Sequence, residues 1–174
     1  MLLSFQLVVV PRYRSKEIHM RLYKSVRLAS VTSAWADELI SAKQEELDKQ
    51  LRNGLLDKAE SHLLNEFPFL NGISRNIIFK VSFSSVVEMC YRNTEHYNTT
   101  DWDKIAHKME TDKTISDSSS NTPKLYLEDF IWQGLEDYQR KLMNDDNKRI
   151  LRLSYIIKLV LFAGLEEYRK NNKD

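Results

Sequence analysis

Apolar positions recur at helical spacing through most of this chain, and the strongest run is the last. From Ile150 onward, Leu151, Leu153, Ile156, Leu159, Val160, Phe162 and Leu165 point in every direction when placed around a helix. A helix apolar on all sides needs burial on all sides. Its run of about 16 apolar residues is shorter than the roughly 20 that a bilayer requires, and Arg152 and Lys158 interrupt it. The pattern predicts a core helix, or one that another chain covers through Leu153, Ile156, Ile157, Val160 and Phe162.

The preceding segment, 124–143, places Leu127, Phe130, Ile131, Leu135, Tyr138 and Leu142 on one face, and Thr122-Pro123 offers a cap followed by a proline at the first helical position. Asn144-Asp145-Asp146 leaves room only for a reversal, so an antiparallel hairpin with the last helix is expected as the spine.

Nearer the start, Ser15 caps a periodic stretch through Ile18, Leu22, Val26 and Ala29, which continues less cleanly through Trp35, Leu39, Leu47 and Leu51. Val31-Thr32-Ser33 marks a kink, and Asn53-Gly54 a helix stop. A second helix over 55–67 carries Leu56, Ala59 and Leu63 on one side and is closed by Pro68. Phe67, Phe69 and Leu70 form an apolar corner before the Asn71-Gly72 turn.

Residues 77–91 satisfy two periods, because Phe79, Val81 and Phe83 alternate with polar residues while Phe79, Phe83, Val86, Val87 and Cys90 keep helical spacing. A length of about 15 residues selects a helix. A short helix capped by Thr100 or Asp101 carries Trp102, Ile105 and Met109. Residues 111–121 hold one apolar side chain and read as a flexible Ser/Thr-rich loop; Thr114 within it and Thr122 just after it, before Pro123, are candidate phosphate acceptors. Residues 1–10 alternate like a strand until Pro11.

These elements describe an all-α fold, a single-domain bundle of about six helices over 1–174 with a C-terminal hairpin and a short extended N-terminal segment within 1–14. The chain's 4 glycines and 3 prolines leave little for the tight turns of an all-β domain.

Net charge is +1, which gives no global field to recruit nucleic acid or an anionic membrane. The charge is uneven, however. Arg12, Arg14, Lys16, Arg21, Lys24 and Arg27 face a single acid, Glu17, in the first 36 residues, leaving the remainder net acidic. Those six side chains, with Tyr13 and Tyr23 between them, are the candidate phosphate contacts of a nucleic-acid-binding reading. The lone Cys90 cannot pair within the chain, so an intracellular, reducing compartment is expected: cytoplasm, nucleus or mitochondrial matrix. No segment reads as a transmembrane span.

Catalytic chemistry leaves no motif. Cys90 follows Val86 and Val87 on an apolar face, the setting of a structural thiol and not of a nucleophile. Adjacent acids such as Glu45-Glu46, Glu136-Asp137 and Glu166-Glu167 diverge on a helix and cannot flank one substrate bond. The glycines are isolated, so no phosphate-cradling loop is present. Asp103 and His107 stand one helical turn apart, the spacing of a surface ion pair or of two ligands to one metal. No catalytic, cofactor or metal residue is assigned, although a site assembled from distant residues such as Asp103, His107 and Glu88 would leave no local signature.

Leu22-Tyr23-Lys24 is similar to the Leu-Tyr-Arg signature of the small helical mitochondrial assembly factors, with Arg27 one position out of step for the basic residue that the family carries on the same face. The resemblance covers three residues and implies a helical mitochondrial assembly factor. The leading expectation is a non-enzymatic helical module, or a subunit of a larger assembly, that binds a protein partner or itself. A nucleic-acid-binding protein and an enzyme with a dispersed site are the alternatives.

Overall fold

The computed structural model describes residues 20–74, 76–114, 119–143 and 150–172. The chain is mostly helical, with a small antiparallel ribbon. In order, β1 (Arg21–Ser25) and β2 (Leu28–Ala29) lead into α1 (Ser30–Gln50), a π-helical turn (Leu51–Leu55) and α2 (Leu56–Glu66). A 3-10 turn (Pro68–Leu70) and an irregular return precede α3 (Phe83–Thr94) and α4 (Thr99–Thr111). Then β3 (Ser120–Asn121), β4 (Lys124–Glu128), α5 (Asp129–Lys141) and α6 (Leu153–Asn171) complete the chain.

The all-round apolar run within α6 has its counterpart in burial. Ile156, Ile157, Val160 and Phe162 are buried, as is every other residue from Leu159 to Leu165. Helices α1, α3, α4 and α5 all pack on α6 and surround it. The partner face expected at Leu153, Ile156, Ile157, Val160 and Phe162 is therefore corrected: the chain's own helices cover it, and Leu153 is half-buried against the same core. α5 packs on α6 as the sequence suggests, while the reversal at Asn144-Asp145-Asp146 lies outside the described residues.

The clearest departure from the all-α expectation is the ribbon. β1 pairs antiparallel with β4, Arg21 opposite Glu128 and Ser25 opposite Lys124. β2 pairs with β3, Leu28 opposite Asn121 and Ala29 opposite Ser120, in the same register. Bonds from Val26 N–H to the Pro123 carbonyl (3.3 Å) and from Ser30 N–H to the Ser119 carbonyl (3.2 Å) join the two pieces into one ribbon. Pro123 has no N–H to return to Val26, which interrupts the ladder between them.

The helix expected from Ser15 thus begins only at Ser30, and the one expected at Lys124 only at Asp129. Spacings of four residues, as in Leu22 and Val26, fit a period of two as well as one of 3.6. Leu125 and Leu127 supply the buried side of the ribbon, with Leu22 packed beside them. Leu22-Tyr23-Lys24 accordingly lies in a strand, not at the helix start that the assembly-factor resemblance implies. Residues 1–19, including Arg12, Arg14, Lys16 and the expected strand over 1–10, lie outside the described residues.

Residues 76–82 are neither helix nor strand, so the helix expected over 77–91 is shorter than its period suggests. It starts at Phe83 behind Ser82, whose hydroxyl accepts from Ser85 N–H at 3.1 Å while Ser85 Oγ accepts from Ser82 N–H. α4 is capped in the same reciprocal way by Asn98 and Asp101.

Candidate interaction surfaces

Helix α1 leaves the core at its C-terminal end and passes through Asn53 and Gly54 into α2. Gly54 has a φ of 85°, where a side chain would be strained, so the predicted stop becomes a kink between two helices. α2 buries none of its residues. Beyond it, Phe67, Phe69, Ile73, Ile78 and Phe79 are exposed, Phe69 to 73% and Ile78 to 76%. Gly72 turns the chain with a φ of 79°. The return is tied to α1 where Val81 N–H donates to Gln44 Oε1 at 2.8 Å. The result is an apolar arm carried by α1, and the corner expected at Phe67, Phe69 and Leu70 is its tip.

A cleft of about 540 Å³ lies between α1, α3 and α6. Lys43, Glu46, Lys49 and Glu167 stand among its walls, with Cys90 and Gly164 also lining it. Lys43 and Glu46 pair with each other at 2.8 Å. Cys90 is buried, and burial pushes its thiol up to about 12, so the thiolate needed for nucleophilic attack is suppressed at neutral pH.

A second cleft, of about 380 Å³, joins the ribbon to the start of α3 and is lined by Arg21, Ser82, Ser84, Glu88, Arg92 and Tyr126, among others. Its charges are mutually engaged. Arg21 meets Glu88 at 2.9 Å and Glu128 at 3.4 Å, and Arg92 meets Glu128 at 3.3 Å. Glu88 also accepts from Glu128 N–H at 3.2 Å, and Ser84 Oγ from Tyr126 N–H at 2.9 Å.

Of the six basic residues expected to contact nucleic acid, the three described ones are not a free cationic row. Arg21 is paired as above. Lys24 reaches Glu136 at 2.6 Å and lies over the Trp132 ring at 5.0 Å. Arg27 donates to Ser120 Oγ at 2.9 Å. In a strand, Arg21 and Arg27 share one face and Lys24 takes the other, so the helical stripe does not form.

Asp103 and His107 are exposed on α4 with no ion pair between them, while Glu88 lies on α3 within the ribbon's network, so these three groups do not converge. Among the described residues no three of His, Cys, Asp and Glu are arranged to hold a metal, and no helix is long and apolar enough to cross a membrane. Thr114, a candidate phosphate acceptor, accepts from Trp35 Nε1 at 3.0 Å and is half-buried, whereas Thr122 is exposed.

Sequence reasoning missed the ribbon's outer face. Tyr23 and Tyr126 stack there with centroids 4.2 Å apart, and Lys124 Nζ sits 4.5 Å from the Tyr23 ring centre. The alternation of Leu125 and Leu127 with Lys124 and Tyr126 was the available signal. No family model, curated protein or solved structure matches the chain.

Proposed function

We propose that this chain is a non-enzymatic interaction module, a subunit of a larger assembly, that receives a protein partner on the arm formed by α2 and residues 67–74 and 76–79. The observation that carries the reading is the placement of exposed apolar side chains. Of ten large ones among the described residues, five (Phe67, Phe69, Ile73, Ile78 and Phe79) belong to this arm, and Leu55 lies in the turn just before α2. Grouping on one protruding feature is the pattern of a docking patch, whereas scattered single exposures are ordinary. Phe67 and Phe69 meet edge to face at 6.2 Å and offer the aromatic anchors that dominate interfaces. The occupant that suits them is an apolar groove on another protein.

The test is recovery of the tagged chain from the cells that make it, in wild-type form and as Phe67→Ser/Phe69→Ser/Ile78→Ser. A stoichiometric companion on the wild type that is absent from the folded variant supports the arm. Equal recovery of that companion by both removes the arm from the interface.

A further inference from the structure

The two edges of the ribbon differ. Asp129 N–H bonds to the Met20 carbonyl, Val26 N–H to the Pro123 carbonyl and Ser30 N–H to the Ser119 carbonyl, which fixes the alternation of the antiparallel ladder. Even-numbered residues of the first strand turn their backbone groups toward the second. Tyr23, Ser25 and Arg27 turn theirs away.

On the opposite strand the outward N–H and C=O of Tyr126 and the outward N–H of Glu128 are taken. Tyr126 N–H donates to Ser84 Oγ, Glu128 N–H donates to Glu88 Oε1, and the Tyr126 carbonyl accepts from Arg21 Nη1 at 3.2 Å. α3 thereby blocks that edge with side chains. The outward N–H and C=O groups of Tyr23, Ser25 and Arg27 have no hydrogen-bond partner among the described residues, and all three residues are exposed.

An open row of alternating donors and acceptors accepts one kind of occupant, an extended backbone, and proteins ordinarily blunt such edges. Charge selects among extended backbones. Arg27 and Lys124 have no carboxylate partner among the described residues: Arg27 bonds to the neutral Ser120 hydroxyl and Lys124 lies over the Tyr23 ring. A second copy of this edge would bring Arg27 and Lys124 toward their own kind. An acidic strand would neutralise them.

We propose that the free edge at Tyr23, Ser25 and Arg27 binds an extended, acidic segment of another protein, which adds a strand to the ribbon. The residue opposite Tyr23 would project beside the Tyr23 and Tyr126 rings, favouring an aromatic side chain there. This site is separate from the apolar arm and stands or falls without it.

The experiment is amide hydrogen exchange by NMR on the full chain, with the probe acetyl-Thr-Glu-Val-Tyr-Val-Glu-Thr-amide. The probe is expected to slow the Tyr23, Ser25 and Arg27 amides by at least about tenfold. The same peptide N-methylated at alternate residues on its bonding edge is expected to fail, as is the version with lysines in place of the glutamates. Ser25→Pro removes an outward N–H without touching the ladder to β4, and is expected to abolish binding. The proposal is overturned if the three amides are unaffected by the probe. It is equally overturned if the N-methylated or lysine peptide protects them as well, or if they are already protected in the free chain, whether as monomer or as dimer. Repeating the titration on Phe69→Ser, expected to bind the probe normally, separates failure of this site from failure of the arm.

Discussion

Gly164 in α6 lies so close to Cys90 in α3 that a Cβ at position 164 would overlap the Cys90 Sγ and come within 3.1 Å of its Cβ. The two helices meet there because neither side chain holds them apart. Gly164→Ala is therefore expected to destabilise by about 1–3 kcal/mol through overpacking, although alanine in an unconstrained helix gains about 1 kcal/mol over glycine. Cys90→Ala withdraws the colliding sulfur. In urea denaturation the double variant is expected to lose clearly less than the two single losses together, and strict additivity would contradict the contact.

The same burial makes Cys90 a reporter of opening. With its thiol pushed up to about 12 and its side chain inside the core, it is expected to resist alkylation by iodoacetamide at neutral pH and to react only as the chain unfolds. Mass spectrometry of the labelled protein with and without urea gives the comparison. Rapid stoichiometric labelling of the folded chain would place the thiol outside the core.

Just past the C-terminal end of α4, Asp112 holds three elements together. Its carboxylate accepts from Trp35 Nε1 at 3.3 Å and from Arg169 Nη1 at 3.0 Å, and Arg169 also grips Glu38. Burial works to raise the Asp112 carboxyl, but the Thr114 hydroxyl and amide together with the Arg169 guanidinium outweigh it and hold the group below the usual carboxylate range. A depressed folded-state value contributes stability that is complete above the unfolded value and lost as pH falls through the folded one. Asp112→Asn is expected to cost about 1–3 kcal/mol near pH 7. The gap between variant and wild type should narrow as pH falls below about 4, where the unfolded carboxyl begins to protonate. A gap that is constant from neutral to acid pH would contradict the charge-based role.

Much of the core was legible in the sequence because its signals were strong and local. The all-round apolar run led to burial of Ile156, Ile157 and every residue from Leu159 to Leu165, although Ile150 stands exposed ahead of α6, and Asn53-Gly54 marked the kink between α1 and α2. Trp102, Ile105 and Met109 are buried on α4 as their spacing suggests. The ribbon was not legible, because its pairing joins residues about a hundred positions apart and because Lys24, on its inner face, is polar. That lysine is accommodated by Glu136 and the Trp132 ring, partners that no local window contains.

The exposed apolar arm was half legible. An apolar corner at Phe67, Phe69 and Leu70 stood out in the sequence, but apolar residues at a corner pack inward or outward with the same pattern. Only the course of α1 away from the core, and the absence of any buried residue in α2, decide that this corner faces out. Conversely, α6 carried more apolar surface than one partner helix would cover, but its pattern reads the same whether the chain's own helices or another chain covers it; here four helices of the same chain do so.

The most direct measurement of the arm's role is site-specific photocrosslinking in the cells that make the protein, with p-benzoylphenylalanine placed at Phe69 in one chain and at exposed Lys104 of α4 in another. Docking through the arm requires a discrete crosslinked species from position 69 and only background from position 104. Equal background from both positions, or a species from position 104 alone, would contradict it.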